Sequence, residues 1–268
     1  MSQEKLNLSS IVHGHWRLGD WNLSSQELLT LTKECIDLGI TSFDHADIYG
    51  NYSCESIFGE ALELDPSLRN QIQIVSKCGI KLDSDKFTER KLKVYDYSFD
   101  YIMNSVNQSL KNLRTDYLDL LLLHRPSPFF NPSEASKAFE ELYKSGKVKQ
   151  FGVSNFNPLQ FEMLQKHCSV NLVTNQVELS PNCLEHFENG NMDFFMKERI
   201  RPMAWSPLAG GMIFNPQNPK AERVRKALIE VSQELILDSI DILAYAWILK
   251  HPVQAIPIVG SGKLSRIK

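Results

Sequence analysis

Short apolar runs alternate with helical patterns eight times along this chain of 268 residues. Near-continuous apolar strands are typical of a parallel sheet that is covered on both faces. Eight such units in roughly 250 residues is the number that a (β/α)8 barrel requires. We therefore predict an α/β fold, a TIM barrel, whose strands cover residues 10–12, 41–43, 72–77, 118–123, 150–153, 172–176, 202–205 and 255–259.

No low-complexity tract or long charge run interrupts this alternation, so residues 1–268 are predicted to form a single domain. The main alternative fold is a doubly wound sheet, which needs the pattern G-x-G-x-x-G after its first strand. Residues 14–19 read GHWRLG, with bulky side chains where a pyrophosphate would have to approach the backbone. The sequence therefore favours the barrel.

Capping residues mark two of the helix starts. Ser24 and Glu27 have the spacing of a capping box, in which each side chain bonds the other residue's backbone N–H. Asn157 followed by Pro158 is typical of an N-cap with proline in the first helical position. Both pairs predict helices that begin directly after an apolar run.

Composition excludes several classes of protein. The 29 Lys and Arg residues against 32 Asp and Glu residues give a net charge of −3, which disfavours a nucleic-acid partner. No apolar run reaches the roughly 20 residues that span a bilayer, and residues 1–10 lack the apolar core of a signal peptide. Five scattered cysteines without a C-x-x-C pair argue against a disulfide framework and a zinc ribbon. We expect a cytoplasmic protein without a membrane or nucleic-acid partner.

Ionisable residues stand at or just beyond the ends of several predicted strands. Active sites of barrels lie at the carboxyl ends of the strands, so these residues are candidates for chemistry. A single polar residue at a strand end often does no more than leave the core. Four together are harder to explain in this way: Asp44 and Tyr49 after the second strand, Lys77 after the third and His124 after the fourth.

These four side chains are suited to carbonyl reduction. A tyrosine hydroxyl with a reference pKa of about 10 is a poor acid at neutral pH. A lysine ammonium about 4 Å away favours the phenolate by roughly 4 kcal/mol, near three pKa units before desolvation is subtracted. Asp44 would keep Lys77 charged, and His124 would orient the substrate oxygen. The hydride has to come from a cofactor, because no side chain supplies one.

Four segments resemble the aldo-keto reductases, in the right order and over almost the whole chain. They are FDHADIYG (43–50), IVSK (74–77), DYLDLLLLHRP (116–126) and FGVSNF (151–156). The resemblance looks closest to a bacterial branch of poorly characterised aldo-keto oxidoreductases. It implies a barrel that reduces aldehydes and ketones with NADPH. It makes Tyr49 the general acid, Lys77 and Asp44 its tuning pair, and His124 the orienting residue.

The resemblance also implies the cofactor contacts. Ser154, Asn155 and Gln176 match the contacts to the carboxamide, and Trp205 matches the aromatic residue that stacks on the nicotinamide. Trp16 is a candidate wall of the cofactor or substrate site. Further matches along the pyrophosphate and the 2′-phosphate are Ser206, Pro207, Leu208, Gly210, Gly260, Ser261, Gly262, Lys263 and Arg266.

Two features depart from the family pattern. Many members place a lysine ahead of the serine that matches Ser261, whereas this chain has Gly260 there and its lysine at position 263. The family also continues beyond Arg266 into a final helix and a loop that approaches the adenine. The C-terminal helix is therefore expected to be missing or truncated in this sequence, which would expose apolar surface near the eighth strand.

Two alternative functions stay open at this point. His13 and His15 form an H-x-H pair at the first strand end, as in metal-dependent hydrolases built on the same barrel. The eighth strand ends without the aspartate that such sites use, so no metal is expected. Relatives of the resembled family also serve as NADPH-sensing subunits without turnover, although the presence of Tyr49 and Lys77 favours catalysis. The expected partner is a small-molecule carbonyl compound, and the sequence does not define an oligomeric state.

Overall fold

The computed structural model describes residues 6–268. The first five residues, part of the segment considered above as a signal peptide, lie outside the described residues. The strands are β1 (Val12–Gly14), β2 (Ser42–Asp44), β3 (Gln73–Cys78), β4 (Ile80–Lys81), β5 (Val94–Tyr95), β6 (Leu118–Leu123), β7 (Val148–Ser154), β8 (Leu172–Glu178), β9 (Met203–Trp205) and β10 (Ile256–Val259).

Helices follow most of these strands, as the alternation predicts. The α-helices are α1 (Ser25–Asp37), α2 (Tyr49–Tyr52), α3 (Cys54–Glu63), α4 (Phe99–Leu113), α5 (Pro132–Lys144), α6 (Pro158–His167), α7 (Glu185–Glu188), α8 (Asn191–Glu198), α9 (Pro219–Glu234) and α10 (Ile240–Lys250). Short 3-10 helices cover Leu18–Trp21, Pro66–Asn70, Ala209–Gly211 and Leu264–Arg266.

The TIM-barrel prediction is confirmed. Eight strands close into a barrel in the order β1, β2, β3, β6, β7, β8, β9 and β10. Strands β4 and β5 form a separate antiparallel pair. Both predicted helix starts are confirmed. Ser24 forms a capping box with Glu27, and Asn157 is the N-cap of α6 with Pro158 in its first turn. Asn157 also forms a capping box with Gln160, which was not predicted.

The structure corrects the bounds of the first strand and defines two further segments. The first strand covers Val12–Gly14 rather than residues 10–12, because its register with β2 pairs Gly14 with Asp44 and so includes the buried His13. The β4–β5 hairpin was missed, since it is short and β5 is exposed. Residues 184–197 form two helices, α7 and α8, and Gly190 in a left-handed conformation separates them.

The described chain divides into two compact units. The first comprises the residues up to 173 together with 260–268. In it, parallel pairs join β1 to β2, β2 to β3, β3 to β6, and β6 to β7. The register pairs Gly14 with Asp44 and Lys77 with Leu122, so the carboxyl ends of these strands share one edge. Helix α4 covers this sheet with a buried face of Ile102, Val106, Leu110 and Leu113.

The second unit comprises residues 174–259. Within it, β8 pairs with β9 and β9 pairs with β10, all in parallel. The loop after β9 packs on α9 and α10 through a buried apolar cluster of Ala209, Ile213, Leu228 and Ala244. Among residues 6–268, no helix combines the length and the apolar character needed to cross a membrane.

Candidate active site

Lys77 is the centre of the candidate site. It lies in β3 with 1% of its surface exposed, and its Nζ donates to both carboxylate oxygens of Asp44 at 2.8 and 2.7 Å. The same nitrogen lies 2.7 Å from the carbonyl oxygen of His45 and 3.0 Å from the hydroxyl of Tyr49. Burial lowers the pKa of Lys77, but the negative charge of Asp44 and the hydrogen bonds to Asp44 and Tyr49 outweigh it and raise the pKa overall. The ammonium therefore stays charged at neutral pH.

The pKa of Tyr49 moves in the opposite direction from our expectation. Burial of the hydroxyl raises this pKa, and the ammonium of Lys77 offsets the rise only in part. The negative charge of Asp44 adds to the rise, because it lies beside Lys77 and weakens the field of the cation. Tyr49 is thus a protonated phenol, held ready to donate, rather than a group that ionises spontaneously near neutral pH.

His124 faces Tyr49 across the site. The two ring centroids are 5.8 Å apart with the rings nearly perpendicular. Burial lowers the pKa of His124 well below its usual range, and the positive charges of Lys77, Arg125 and Lys93 lower it further. The imidazole is therefore neutral. Its Nδ1 is buried without a hydrogen-bond partner among the described residues.

The backbone that follows Tyr49 is strained. Gly50, Asn51 and Tyr52 have φ values of 56, 51 and 66°, a left-handed conformation that costs roughly 1–2 kcal/mol for each non-glycine residue. The segment from Leu82 to Arg90 braces this turn. Asn51 bonds Ser84 and Asp85 at 2.6 Å each, while the Tyr52 hydroxyl accepts bonds from the Leu82 N–H and from Arg90 at 2.9 Å.

Two of the predicted cofactor residues lie beside His124, one of the four candidate catalytic residues. Ser154 is buried at the end of β7, and Asn155 follows it with a φ of 61°. The Asn155 amide donates to the Ser154 hydroxyl at 2.7 Å and reaches the His124 carbonyl oxygen at 3.5 Å. The structure thus brings Ser154 and Asn155 to the same strand edge as His124.

The predicted phosphate-binding residues of the first unit form a loop after β10, residues Gly260–Lys263, which we call the phosphate loop. The Ser261 carbonyl oxygen lies 2.9 Å from His13 Nε2. A Cβ on Gly262 would lie 2.7 Å from the Trp21 ring, so this position needs glycine. The side chains of Lys263 and Arg266 are exposed, as expected of cations that meet a phosphate.

The remaining predicted cofactor residues belong to the second unit, apart from Trp16. Gln176 is buried in β8, and its amide donates to the Met203 sulfur at 3.7 Å. Trp205 ends β9 and is half-buried. Ser206, Pro207, Leu208 and Gly210 follow in the loop after β9. Trp16, in the first unit, is 61% exposed and lies beside Arg17, whose guanidinium carbon is 5.3 Å from the ring centroid.

The histidines considered as metal ligands are bonded to one another. His15 lies 3.2 Å from His13 and 3.0 Å from His45, and all three are buried. Within residues 6–268, no group of three or more His, Cys, Asp or Glu side chains could hold a metal ion. The metal-dependent hydrolase is therefore not favoured.

His45 and Trp21 belong to this arrangement through contacts that the sequence pattern does not define. The H-x-H spacing places His13 and His15 on the same side of the strand, which the structure confirms. No local signal shows that His45 continues the row, because that depends on the register between β1 and β2. The packing of Trp21 against Gly262 likewise depends on a contact between positions far apart in sequence.

Comparison with known proteins agrees with the geometry. A family model described as the aldo/keto reductase family matches residues 10–268. The uncharacterized oxidoreductase YcsN of Bacillus subtilis (strain 168) is 51% identical over 264 residues, which cover 98% of this chain and 88% of that protein. A 6-dehydroglucose reductase of Agrobacterium fabrum (strain C58 / ATCC 33970) is 41% identical over 266 residues, 99% of this chain and 88% of that one.

A solved structure gives the same result for the fold. The thermostable aldo-keto reductase Tm1743, in complex with the inhibitor epalrestat, matches with a TM-score of 0.81 and 25% identity. The match covers 100% of this chain and 90% of that one. The chain belongs to the aldo/keto reductase family. Membership implies an oxidoreductase that reduces carbonyl compounds with a nicotinamide cofactor.

Proposed function

We propose that this protein reduces aldehydes and ketones to alcohols with NADPH, and that Tyr49 is the general acid. The observation that carries the proposal is the position of the Lys77 ammonium, 3.0 Å from the Tyr49 hydroxyl and paired with Asp44. As a carbonyl is reduced, its oxygen becomes negative and needs a proton. Tyr49 donates this proton, and the ammonium beside it stabilises the phenolate that remains.

His124 orients the carbonyl group. A neutral imidazole has one N–H and one bare nitrogen, so it can donate a hydrogen bond to the substrate oxygen without competing for the transferred proton. Because the pKa of His124 is lowered well below its usual range, this role does not depend on pH near neutrality. Tyr49 and His124 thus bind the same oxygen, one as acid and the other as orienting donor.

The described residues of the first unit fit a nicotinamide dinucleotide. Ser154 and Asn155 offer hydroxyl and amide groups of the types that a carboxamide needs, beside His124. The phosphate loop offers backbone N–H groups, and Lys263 and Arg266 offer exposed cations for a 2′-phosphate. These cations favour NADPH over NADH. When bound, this cofactor supplies the hydride. The motif matches of Trp16, Gln176, Trp205, Ser206, Pro207, Leu208 and Gly210 stay predictions.

A sugar aldehyde is the first substrate to test. The 6-dehydroglucose reductase of Agrobacterium fabrum, at 41% identity, is named for such a compound. The assay follows the loss of reduced nicotinamide absorbance with a panel of aldehydes that includes a sugar oxidised at its primary alcohol. We expect turnover with reactive aldehydes and a lower KM for NADPH than for NADH.

The decisive variant is Tyr49→Phe. It removes the proton donor and leaves the ring, so kcat should fall by about 10²–10⁴-fold while NADPH affinity stays unchanged. Tyr143→Phe, at an exposed tyrosine on α5, is the matched control and should keep full activity. Full activity in folded Tyr49→Phe would refute the assignment of the acid. NADPH binding without consumption of any aldehyde would favour the sensing subunit.

A further inference from the structure

Three buried histidines form a continuous row behind the candidate active site. His13, His15 and His45 are each at most 1% exposed. His13 Nε2 lies 2.9 Å from the Ser261 carbonyl oxygen, His15 Nε2 lies 3.2 Å from His13 Nδ1, and His45 Nε2 lies 3.0 Å from His15 Nδ1. The proposed mechanism uses none of these side chains. The row connects the end of β2 with the phosphate loop.

The hydrogen bonds along the row can run in one direction only, from donor Nε2 to acceptor. The Ser261 carbonyl can only accept, so His13 Nε2 carries a hydrogen and donates it. All three histidines are neutral, because burial lowers the pKa of His13 to about 4 and those of His15 and His45 well below their usual range. Each Nδ1 is therefore a bare acceptor and each Nε2 a donor. His45 Nδ1, at the head of the row, has no partner among the described residues.

The row contacts the residues around Lys77 at one end and the phosphate loop at the other. At one end, the His45 carbonyl oxygen accepts from the Lys77 ammonium at 2.7 Å, and the His15 backbone N–H donates to the Asp44 carbonyl oxygen at 2.9 Å. At the other end, the Trp21 ring stacks on His13 with centroids 5.4 Å apart and packs against Gly262. The row and Trp21 support the phosphate loop from inside the first unit.

We propose that His13, His15 and His45 are positioning residues, which hold the phosphate loop in place for the cofactor through one directional chain of hydrogen bonds. The inference rests on the proposed function, since the loop binds phosphate only if the protein binds a dinucleotide. A carbonyl that accepts a buried hydrogen bond keeps its peptide plane fixed, and with it the direction of the next N–H in the loop. Affinity for the cofactor should therefore depend on His13, which touches no cofactor itself.

The test compares two substitutions of His13 in the full chain. His13→Phe keeps the ring and removes the donor to Ser261, whereas His13→Gln keeps an N–H donor. NADPH titration by fluorescence should show a Kd raised by up to about tenfold in His13→Phe, the effect of one hydrogen bond. The kcat at saturating NADPH should be nearly unchanged. His13→Gln should restore most of the affinity.

A neighbouring residue provides the control for general destabilisation. The Phe58 ring lies 4.8 Å from the His15 ring and 4.7 Å from the His45 ring, and it forms no hydrogen bond in the row. Phe58→Leu should lower stability without changing the Kd for NADPH. If Phe58→Leu raises the Kd as much as His13→Phe does, or if His13→Phe leaves it unchanged, the positioning role is wrong.

A second measurement uses the free protein and no activity. Nitrogen-15 spectra of the imidazoles at neutral pH should show His13, His15 and His45 all protonated on Nε2 and neutral. Amide hydrogen exchange at Gly262 and Lys263 should be faster in His13→Phe than in wild type. A different tautomer at His13, or unchanged exchange in the loop, would overturn the proposal. If wild type binds no nicotinamide cofactor, the proposed function fails, and the loop exchange still decides whether the row fixes the loop.

Discussion

The Lys77 ammonium lies 3.0 Å from the Tyr49 hydroxyl, and Asp44 accepts from the same nitrogen at 2.7 Å. The Tyr49 hydroxyl therefore lies in the electric field of an ion pair rather than that of an isolated cation. In the free protein this leaves the pKa of the phenol raised by burial. In the proposed reaction, the ion pair stabilises the phenolate that remains when the proton has left for the substrate, so its effect is expected to be largest in the transition state.

Removing the ammonium alone should harm both stability and activity. Lys77→Met leaves the Asp44 carboxylate buried without its partner, which costs about 3–5 kcal/mol in buried pairs. We expect this loss in urea unfolding, together with a loss of kcat comparable to that of Tyr49→Phe. The double variant Asp44→Asn/Lys77→Met should recover most of the stability and none of the activity. A double variant as unstable as the single one would contradict this account.

The histidine row predicts a loss of stability in acid. The pKa of His13 is about 4 in the folded protein and 6.5 when unperturbed. Between these values the unfolded chain binds a proton that the folded chain does not, so stability falls as pH drops from 6.5 towards 4. At about 1.4 kcal/mol per pKa unit, His13 lowers the free energy of unfolding by about 3 kcal/mol over this pH range. Denaturant unfolding against pH should give a shallower slope in His13→Gln than in wild type. Identical slopes would show that the His13 imidazole does not stay neutral in the folded protein over this pH range.

Asp47 predicts the opposite dependence at higher pH. Burial and, second, the nearby Glu55 raise its pKa to about 8, although the hydrogen bond from Ser105 and the charge of Lys77 act against them. Between pH 4 and 8 the folded state holds a proton that the unfolded state has lost, so stability falls as pH rises. Asp47→Asn keeps the shape without the charge. Relative to wild type, this variant should have a free energy of unfolding that is a few kcal/mol higher at pH 9 and little changed near pH 4. Equal stability at pH 9 would contradict the raised pKa.

Gly59 should not tolerate alanine, although it lies within helix α3. A Cβ at this position would lie 2.0 Å from the backbone oxygen of Asn112 on α4. The clash should cost more than the roughly 1 kcal/mol by which alanine favours a helix over glycine. We expect Gly59→Ala to destabilise the protein by at least about 2 kcal/mol in urea unfolding. Gly19→Ala, whose Cβ would meet its nearest atom at 3.9 Å, should change stability little.

The sequence predicts the barrel and the residues of the catalytic edge because both depend on local patterns. Apolar runs define the strands, and the residues that follow them define the edge. Lys77 and Asp44 are paired in the structure because their strands are neighbours in register. The predicted bounds of β1 fail because His13 and Gly14, which the apolar run does not include, belong to the strand.

Other features depend on contacts that are distant in sequence. The pKa of Tyr49 follows from how deeply its hydroxyl is buried, which the order of residues does not reveal. The row from His45 to Ser261 joins positions more than 200 residues apart. The alternative of a metal site named His13 and His15, two residues of this row. It could not foresee that their nitrogens bond one another.

The left-handed turn after Tyr49 makes the proposed proton donor depend on a remote stretch of chain. Asn51 and Tyr52 keep their unfavourable backbone angles only while residues 82–90 hold them. During synthesis, the phenol therefore reaches its final place only after that later segment has emerged and docked. A protein cleaved within residues 82–90 would retain Asp44, Tyr49, Lys77 and His124. We nevertheless expect the Tyr49 hydroxyl of that protein to lose its position.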